Sequence, residues 1–336
     1  MMRLDSLPAC TSLALFLATA FISSCTESPD TEPDPGKIKV MMTEWTGHLG
    51  FYIATEKNFF AEVGLDVEVI HAKELTEVTN AYMAGDVQGR ADVIFDAVTE
   101  KFEGLDHKII TAMDYSNGSD VIVARKEIQS PKDLEGKRIG FEEGMLTEYF
   151  LRFVLGQYNV PWESIIPVEA AMGDSVEMLQ EGSVDAAVTF GPPVEKLRDS
   201  PDYHFLYTSA DAPGLITDVI VFRTEFIEKY PQAMEKLVGA YFRAVDYSIQ
   251  NPGETLEILA KVLNCSAEEA KAQLEGVVIL DLPANLSAFS VGSGLHSLYG
   301  NVGKSQDFIN PGRRFPPDSL IDKTFVVKYS NSLDLE

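Results

Sequence analysis

From Lys37 onward, short runs rich in β-branched and aromatic residues alternate with segments of helical period, and the alternation runs through twice. The first series predicts strands over Lys37–Trp45, Leu65–Ala72, Ala91–Ala97 and His107–Ser116, with helices over Gly50–Val63 and Leu75–Ala84. The second predicts strands over Asp120–Lys126, Lys137–Phe141, Ile165–Glu169, Asp185–Phe190 and Tyr203–Thr208, with helices over Thr147–Tyr158 and Ser175–Glu181. One more strand is expected over Thr217–Arg223. A chain that feeds strand after strand through helices builds an α/β sheet, mostly parallel, with helices on both faces.

After Arg223 the pattern turns helical over Pro231–Gln250, Pro252–Leu263 and Ser266–Val277. Each of these has a proline or serine at its N-terminal edge, where helix starts favour them. The two series also resemble each other. Tyr82-Met-Ala-Gly85 followed by Ala91-Asp92-Val-Ile-Phe95 parallels Met178-Leu-Gln-Glu-Gly182 followed by Asp185-Ala-Ala-Val-Thr-Phe190. Both read as a helix, a glycine just past its end, and an aspartate opening an apolar strand. A repeat of about 95 residues is too long for a solenoid and points to two similar lobes. Leu282–Glu336 carries no such pattern, and its Thr324–Tyr329 run reads equally as an edge strand or a packed tail.

The 336 residues amount to roughly two domains at about 150 residues each. They carry 27 bases against 52 acids, a net charge of -25, and no basic run longer than two residues. Such a surface repels phosphate backbones and anionic headgroups, so nucleic acid and electrostatic membrane docking are excluded. At the N-terminus, Arg3 precedes a mostly apolar stretch, Thr11–Ile22. It is too short to span about 30 Å of hydrocarbon and fits the core of a leader, residues 1–24. Ile22-Ser23-Ser24-Cys25 resembles the bacterial lipobox, in which the cysteine receives a lipid and becomes the first residue. Thr26–Gly36 holds three prolines and four acids with no apolar side chain, so residues 25–36 read as a flexible tether. With Cys25 lipidated, Cys265 stands alone, which leaves no intramolecular disulfide and no cysteine-based metal site. These features place the chain in the bacterial cell envelope, on the periplasmic side, hanging from a membrane.

No G-x-S-x-G elbow, P-loop, G-x-G-x-x-G after a strand or H-E-x-x-H occurs, and the five histidines are scattered singly. The sequence therefore calls for no enzyme, no cofactor and no metal. Three loops read as site material. Glu44-Trp45-Thr46-Gly47-His48 follows the opening strand, where open α/β sheets place ligands. Asp114-Tyr-Ser116-Asn-Gly118-Ser-Asp120 is a turn at the handover between the two series. Phe141-Glu-Glu-Gly144-Met145-Leu-Thr147 feeds a strand into a helix, whose free N–H groups favour an anion while its own glutamates oppose one. Phe190-Gly-Pro-Pro and Thr217-Asp218 are lesser candidates.

The order Trp45-x-Gly47-His48-x-Gly50, Ala54, Phe59-Phe60, Gly64-Leu65-x-Val67 resembles the N-terminus of nitrate/sulfonate/taurine-type substrate-binding proteins of ABC importers. Asp114-Tyr-Ser116-Asn-Gly118-Ser-Asp120, Asp133-Leu134-x-Gly136-Lys137-Arg138 and Gly182-Ser-Val-Asp185-Ala186-Ala187 with Phe190-Gly-Pro192 extend the likeness to Arg223. The resemblance implies a type II periplasmic-binding-protein fold of two lobes, each a mostly parallel sheet flanked by helices. Residues 37–119 and 217–336 would form lobe 1, and 120–216 lobe 2. A small solute would be enclosed between them by hinge closure, and the closed monomer presented to an inner-membrane ABC permease. Carried over as ligand-binding residues are Trp45, Gly47, His48, Phe95, Asp96, Ser116, Gly118, Asp120, Gly144, Met145, Phe190 and Asp218. Glu44, Asp96, Asp120, Glu142 and Asp218 near the cleft depart from what an oxyanion receptor would offer, and favour a cationic or hydrogen-bond-donating solute. Trp45…His48…Gly50-x-Tyr52-x-Ala54 is also similar to the opening of the branch that handles thiamine-pyrimidine precursors. A pyrimidine-binding receptor and a sensor for a signalling partner are thus the alternatives.

Overall fold

The computed structural model describes residues 32–333 apart from 74, 172, 196 and 199. The expected leader, the lipid acceptor Cys25 and most of the tether lie outside the described residues. Eleven strands are formed: β1 (Lys37–Thr43), β2 (Asp66–Ala72), β3 (Gly89–Val93), β4 (His107–Ser116), β5 (Asp120–Arg125), β6 (Arg138–Phe141), β7 (Ile166–Glu169), β8 (Ala186–Phe190), β9 (Tyr203–Thr208), β10 (Thr217–Arg223) and β11 (Val277–Ile279). They make two sheets, one in the order β11-β4-β10-β3-β1-β2 and one in the order β7-β6-β8-β5-β9.

Both sheets are mixed. In the first, β1 pairs in parallel with β2 and β3, whereas β10 runs against both β3 and β4, and β11 against β4. In the second, β6 is parallel to β7 and β8, while β5 runs against β8 and β9. Four of six strands in one sheet and four of five in the other thus share a direction, with one reversed strand inserted at the same place in each. The expectation of mostly parallel sheets holds for strand direction and is corrected for pairing. The cause is the chain path. Only three residues separate β5 from the end of β4, and β10 begins the return from the second sheet to the first. A strand that starts where its neighbours finish has to run against them.

The same order, β2-β1-β3-β10-β4 against β7-β6-β8-β5-β9, gives the weak sequence repeat its physical form. The glycines at its centre, Gly85 and Gly182, both adopt left-handed backbone just past a helix (φ 82° and 87°).

Element boundaries depart from expectation where backbone or burial intervenes. Gly50–Val63 is two helices, Leu49–Glu56 and Phe59–Glu62, because Asn58 turns left-handed between them (φ 61°). The strand expected over Ala91–Ala97 stops at Val93, and a helix, Ile94–Glu103, takes over. Its Ile94, Ala97 and Val98 are buried at helical spacing, so an apolar run that reads as strand is a buried helix face. The segment expected to be helical to Val277 stops at Glu275, and Val277–Ile279 forms an edge strand. Thr324–Leu333 is a helix, burying Phe325 and Val326, and not a strand.

The first core lies around the helix Pro231–Gln250, whose Tyr241 ring packs 5.5 Å from Phe51. The second lies under the helix Leu146–Tyr158, through Leu151, Val154 and Leu155. Phe95 of the helix Ile94–Glu103 belongs to this second core: its ring stacks 4.8 Å from Tyr149 of the helix Leu146–Tyr158 and meets Phe308 edge-on at 5.6 Å. Ring pairs of this geometry contribute beyond their area burial.

β4 carries a bulge next to the handover. Asp218 pairs with Asp114 but Val219 pairs with Ala112, so Met113 is the extra residue. Asn285, fully buried on the helix Leu282–Ala288, clamps this place. Its Oδ1 accepts from the Ala112 N–H (3.0 Å), and its Nδ2 donates to the Ala112 and Leu280 carbonyls (both 2.9 Å). Asn285→Ala leaves these groups buried without a partner, and a loss of about 1–3 kcal/mol is expected. Urea unfolding checks this, and an unchanged midpoint contradicts it.

Candidate functional site

Strand direction decides where the site forms. The common-direction strands of both sheets finish at one edge, and the reversed strands β5 and β10 start there, with Asp120 and Asp218 at or next to their first residues. Three acids meet there, two from the first sheet and one from the second. Asp114 sits near the end of β4, directly opposite Asp218 in register, and Asp120 opens β5. Like charges facing across a strand pair repel. All three are buried: Asp114 is 0%, Asp120 5% and Asp218 9% exposed.

The loop after β1 closes over them. The Trp45 indole N–H donates to Asp114 Oδ1 (3.2 Å). Tyr52 holds the Trp45 backbone, accepting from its N–H (3.2 Å) and donating to its carbonyl (3.0 Å). Gly47 is required by contact, since a Cβ there would lie 2.0 Å from Asp114 Oδ2. His48 is buried, its Nδ1 3.1 Å from the Thr43 carbonyl and its Nε2 3.8 Å from Asp218 Oδ2.

Burial dominates the electrostatics. It raises the carboxyls of Asp114 and Asp120 to about 7, against hydrogen bonds from Trp45 and Ser116 respectively. Asp218 is raised well above the usual carboxylate range, first by burial and then by the charges of Asp114 and Asp120. Asp114 Oδ2, buried, has no hydrogen-bond partner. Burial likewise lowers His48 to about 4, so its ring is neutral. With Nδ1–H directed at a carbonyl, Nε2 of the neutral ring is an acceptor.

The remaining predicted site residues fall in three other places. Ser116 and Gly118 belong to the crossing between the sheets, where their polar atoms are already engaged. Ser116 Oγ and Ser209 Oγ are 2.7 Å apart, and the Gly118 N–H donates to Ser209 Oγ (2.7 Å). Ser209 precedes the return crossing, so one hydroxyl ties both crossings together. Phe190 ends β8 opposite Asp120 and is half-buried beside the acids. Phe95 is spent in the aromatic packing described above. Gly144 and Met145 lie on the loop before the helix Leu146–Tyr158, and there the Gly144 N–H donates to Glu148 Oε2 (2.7 Å). Glu148 in turn accepts from Arg152 Nε (2.6 Å), so the chain's own carboxylate fills the place expected to favour an anion.

Asp96 opens onto a second buried acid group. Arg90, fully buried, pairs with Asp92 (2.5 Å) and Glu100 (2.8 Å). Burial, then the Asp92 charge, raises Asp96 to about 7, with Glu142 of the second sheet's loop adding to it. Burial, then the Asp92 charge, raises Glu100 to about 8. Among the described residues no group of His, Cys, Asp and Glu is arranged to hold a metal ion, and no helix is long and apolar enough to cross a membrane.

Asp114 and Tyr52 stand within the sequence motifs without an expected role, and Ser209, Tyr241 and Asn285 lie outside every motif. Tyr241 lies 191 positions beyond Gly50 in the chain, yet its ring is what a Cβ at Gly50 would strike at 2.4 Å. Only the fold brings such partners together.

Comparison with known proteins agrees with this architecture. The periplasmic nitrate-binding protein of Synechocystis aligns with a TM-score of 0.68 at 12% identity, over 91% of each chain. The fold is therefore that of the two-lobed periplasmic binding proteins. The family model described as NMT1/THI5 like matches residues 45–255, more than half of the chain, which belongs to that family. Among relatives, the formylaminopyrimidine-binding protein of Halalkalibacterium halodurans is 21% identical over 257 residues, 74% of this chain and 77% of the relative. The taurine-binding periplasmic protein of Escherichia coli is 30% identical over 139 residues, 40% of this chain and 42% of the relative.

Two predictions follow from the geometry. Gly47→Ala pushes the Asp114 carboxylate away from the Trp45 indole. The chain has two tryptophans, so in a Trp162→Phe background the Trp45 fluorescence is expected to become more quenchable by acrylamide; unchanged quenching contradicts the contact. The second concerns pH. A carboxyl whose folded pKa is raised binds its proton more tightly folded than unfolded, so it lends stability that is lost as pH rises through the folded value. Asp96, Asp114 and Asp120 at about 7 and Glu100 at about 8 all act this way. His48 and His107, lowered to about 4, act oppositely but only below their ordinary 6.5. The melting temperature is therefore expected to rise as pH falls from about 8 to about 6.5, with a shallower rise in Asp120→Asn. Scanning calorimetry checks both slopes.

Proposed function

We propose that this chain is an extracytoplasmic solute receptor of an ABC importer, lipid-anchored through Cys25 and monomeric, and that it is a binder rather than a catalyst. The lobes are 37–119 with 217–336, and 120–216, hinged at the two crossings. The solute lies between them, against Trp45, His48, Asp120, Phe190 and Asp218, and closure on it is read by the permease. The lipobox-like Ile22-Ser23-Ser24-Cys25 supports the anchor, and family membership supports the solute-receptor role.

The observation that carries the solute class is the buried acid group at the strand ends. Asp114, Asp120 and Asp218 present carboxyl oxygens, and His48 an acceptor nitrogen, around a single indole donor. An oxyanion such as nitrate, or the sulfonate end of taurine, would meet acceptors with acceptors. A small solute with N–H groups, cationic or amino-heterocyclic, satisfies them. An aminopyrimidine fits this description, with the flat ring against Trp45 and Phe190 and the amino groups toward the acids. The relative named for binding formylaminopyrimidine supports the same class.

Isothermal titration of the mature chain tests this directly. The 4-amino-5-aminomethyl-2-methylpyrimidine probe is expected to bind, and to lose at least about tenfold in affinity, about 1.4 kcal/mol, in Asp218→Ala. Tight binding of nitrate or taurine with no response to the aminopyrimidine would overturn the solute class.

A further inference from the structure

We propose that the cleft holds one exchangeable proton, carried by Asp218 between Asp114 and His48, and that a cationic solute binds by displacing it. This rests on the receptor reading above and adds a proton balance to it. The count of donors and acceptors is geometric. Asp114 and Asp218 face each other as register partners across β4 and β10. Asp114 already receives the Trp45 indole N–H on Oδ1, while Oδ2 faces Gly47, where a side chain would strike it at 2.0 Å. His48 turns Nδ1 to the Thr43 carbonyl and Nε2 to Asp218 Oδ2 at 3.8 Å. Two carboxyls and an acceptor nitrogen converge where one indole N–H cannot satisfy them, and Asp114 Oδ2 is buried without a hydrogen-bond partner. A proton on Asp218 removes the charge repulsion and supplies the missing donor.

The elements packed around the pair bring mainly acids, hydroxyls and imidazoles, and their one guanidinium, Arg90 on β3, is engaged by Asp92 and Glu100. The loop after β1 brings Glu44, His48 and Tyr52, β2 brings His71 at 5.4 Å from the Tyr52 ring, and β5 brings Asp120. β3 brings Asp92, whose own partner is Arg90, and the helix Pro231–Gln250 brings the Tyr241 hydroxyl. No lysine or arginine acts on Asp218 among these causes, so in the unliganded chain the proton is what balances the pair.

The exchange is a simple one. The ammonium or amidinium of the solute enters with its N–H groups directed at the Asp114 and Asp218 oxygens. The O–H bond of Asp218 breaks, its electron pair stays on the carboxylate, and the proton leaves to solvent or buffer. The solute's positive charge replaces the one released, so the net charge of the buried site is unchanged. Where solute pKa does not intervene, apparent affinity weakens by up to about tenfold per unit fall in pH.

Titration of the mature chain with 4-amino-5-aminomethyl-2-methylpyrimidine near neutral pH, in buffers of different ionisation heat, reads the proton directly. The wild type is expected to release about one proton more per molecule bound than Asp218→Asn does. Binding with an equal proton count in the two proteins would overturn the exchange while leaving the receptor reading intact. If the probe does not bind, the solute class fails and the proton is still decided by infrared spectroscopy of the unliganded chain. A protonated-carboxyl band at neutral pH, diminished in folded Asp218→Asn, supports it, and the same band at equal intensity in that variant overturns it. Should that variant not fold, Asp114→Asn serves in its place. Removing the facing charge there shifts the titration of the band to lower pH, and an unshifted titration overturns the pair.

Discussion

The chain's double passage between its sheets is the constraint on which the site depends. Leaving the first sheet at the end of β4 and re-entering it at β10 forces one strand in each sheet to run against its neighbours. The reversed strands begin where the others end. Asp120 and Asp218 thereby come to the same edge as Asp114, the Trp45 loop and the end of β8. The crossings are also tied to each other through Ser209 to Ser116 and Gly118, and the outgoing one is held by Ser119 and Asn117 to the Gly276 carbonyl. On the proposed reading, the hinge and the lining of the cleft are therefore neighbouring residues of the same segments.

Acids buried at such an edge work against stability unless something neutralises them. The two buried acid groups solve this differently. Around Arg90 a guanidinium is supplied from within, to Asp92 and Glu100. Around Asp218 no lysine or arginine among the described residues forms an ion pair, only the His48 ring lies at 3.8 Å, and on our proposal the pair relies on a proton. The first group has the character of an internal brace under the helix Ile94–Glu103, and the second that of a site waiting for a positive partner. The bulge at Met113, clamped by Asn285, sets the register that brings Asp114 to Asp218. Such bulges commonly re-aim side chains beside functional sites.

Much of the fold was legible in the sequence because periodicity reports local burial. β1, β2 and β4 to β10 fall where the alternation places them, within a residue or two. The repeat about Gly85 and Gly182 became a shared strand order. Two kinds of feature were not legible. The start of Ile94–Glu103 reads as strand because Ile94, Phe95 and Ala97 continue the apolar residues of β3, and strand reversal leaves no trace in a period. The site was legible in part: Trp45, Gly47, His48, Asp120 and Asp218 do converge, together with Phe190. Ser116 and Gly118 share a motif with Asp120 but serve the crossing, and Phe95 serves packing, because residues adjacent in sequence can face different neighbours. Asn285 and Ser209 have no local signal at all, since their partners lie 173 and 93 positions away.

The most direct measurement is a crystal structure of the chain loaded with its solute, whether co-purified or soaked. A nitrogen of the solute within about 2.7–3.0 Å of a carboxylate oxygen of Asp218 or Asp120, with its ring or body against Trp45, is the predicted result. An oxyanion in the cleft, or a solute that touches none of the three acids, would contradict it.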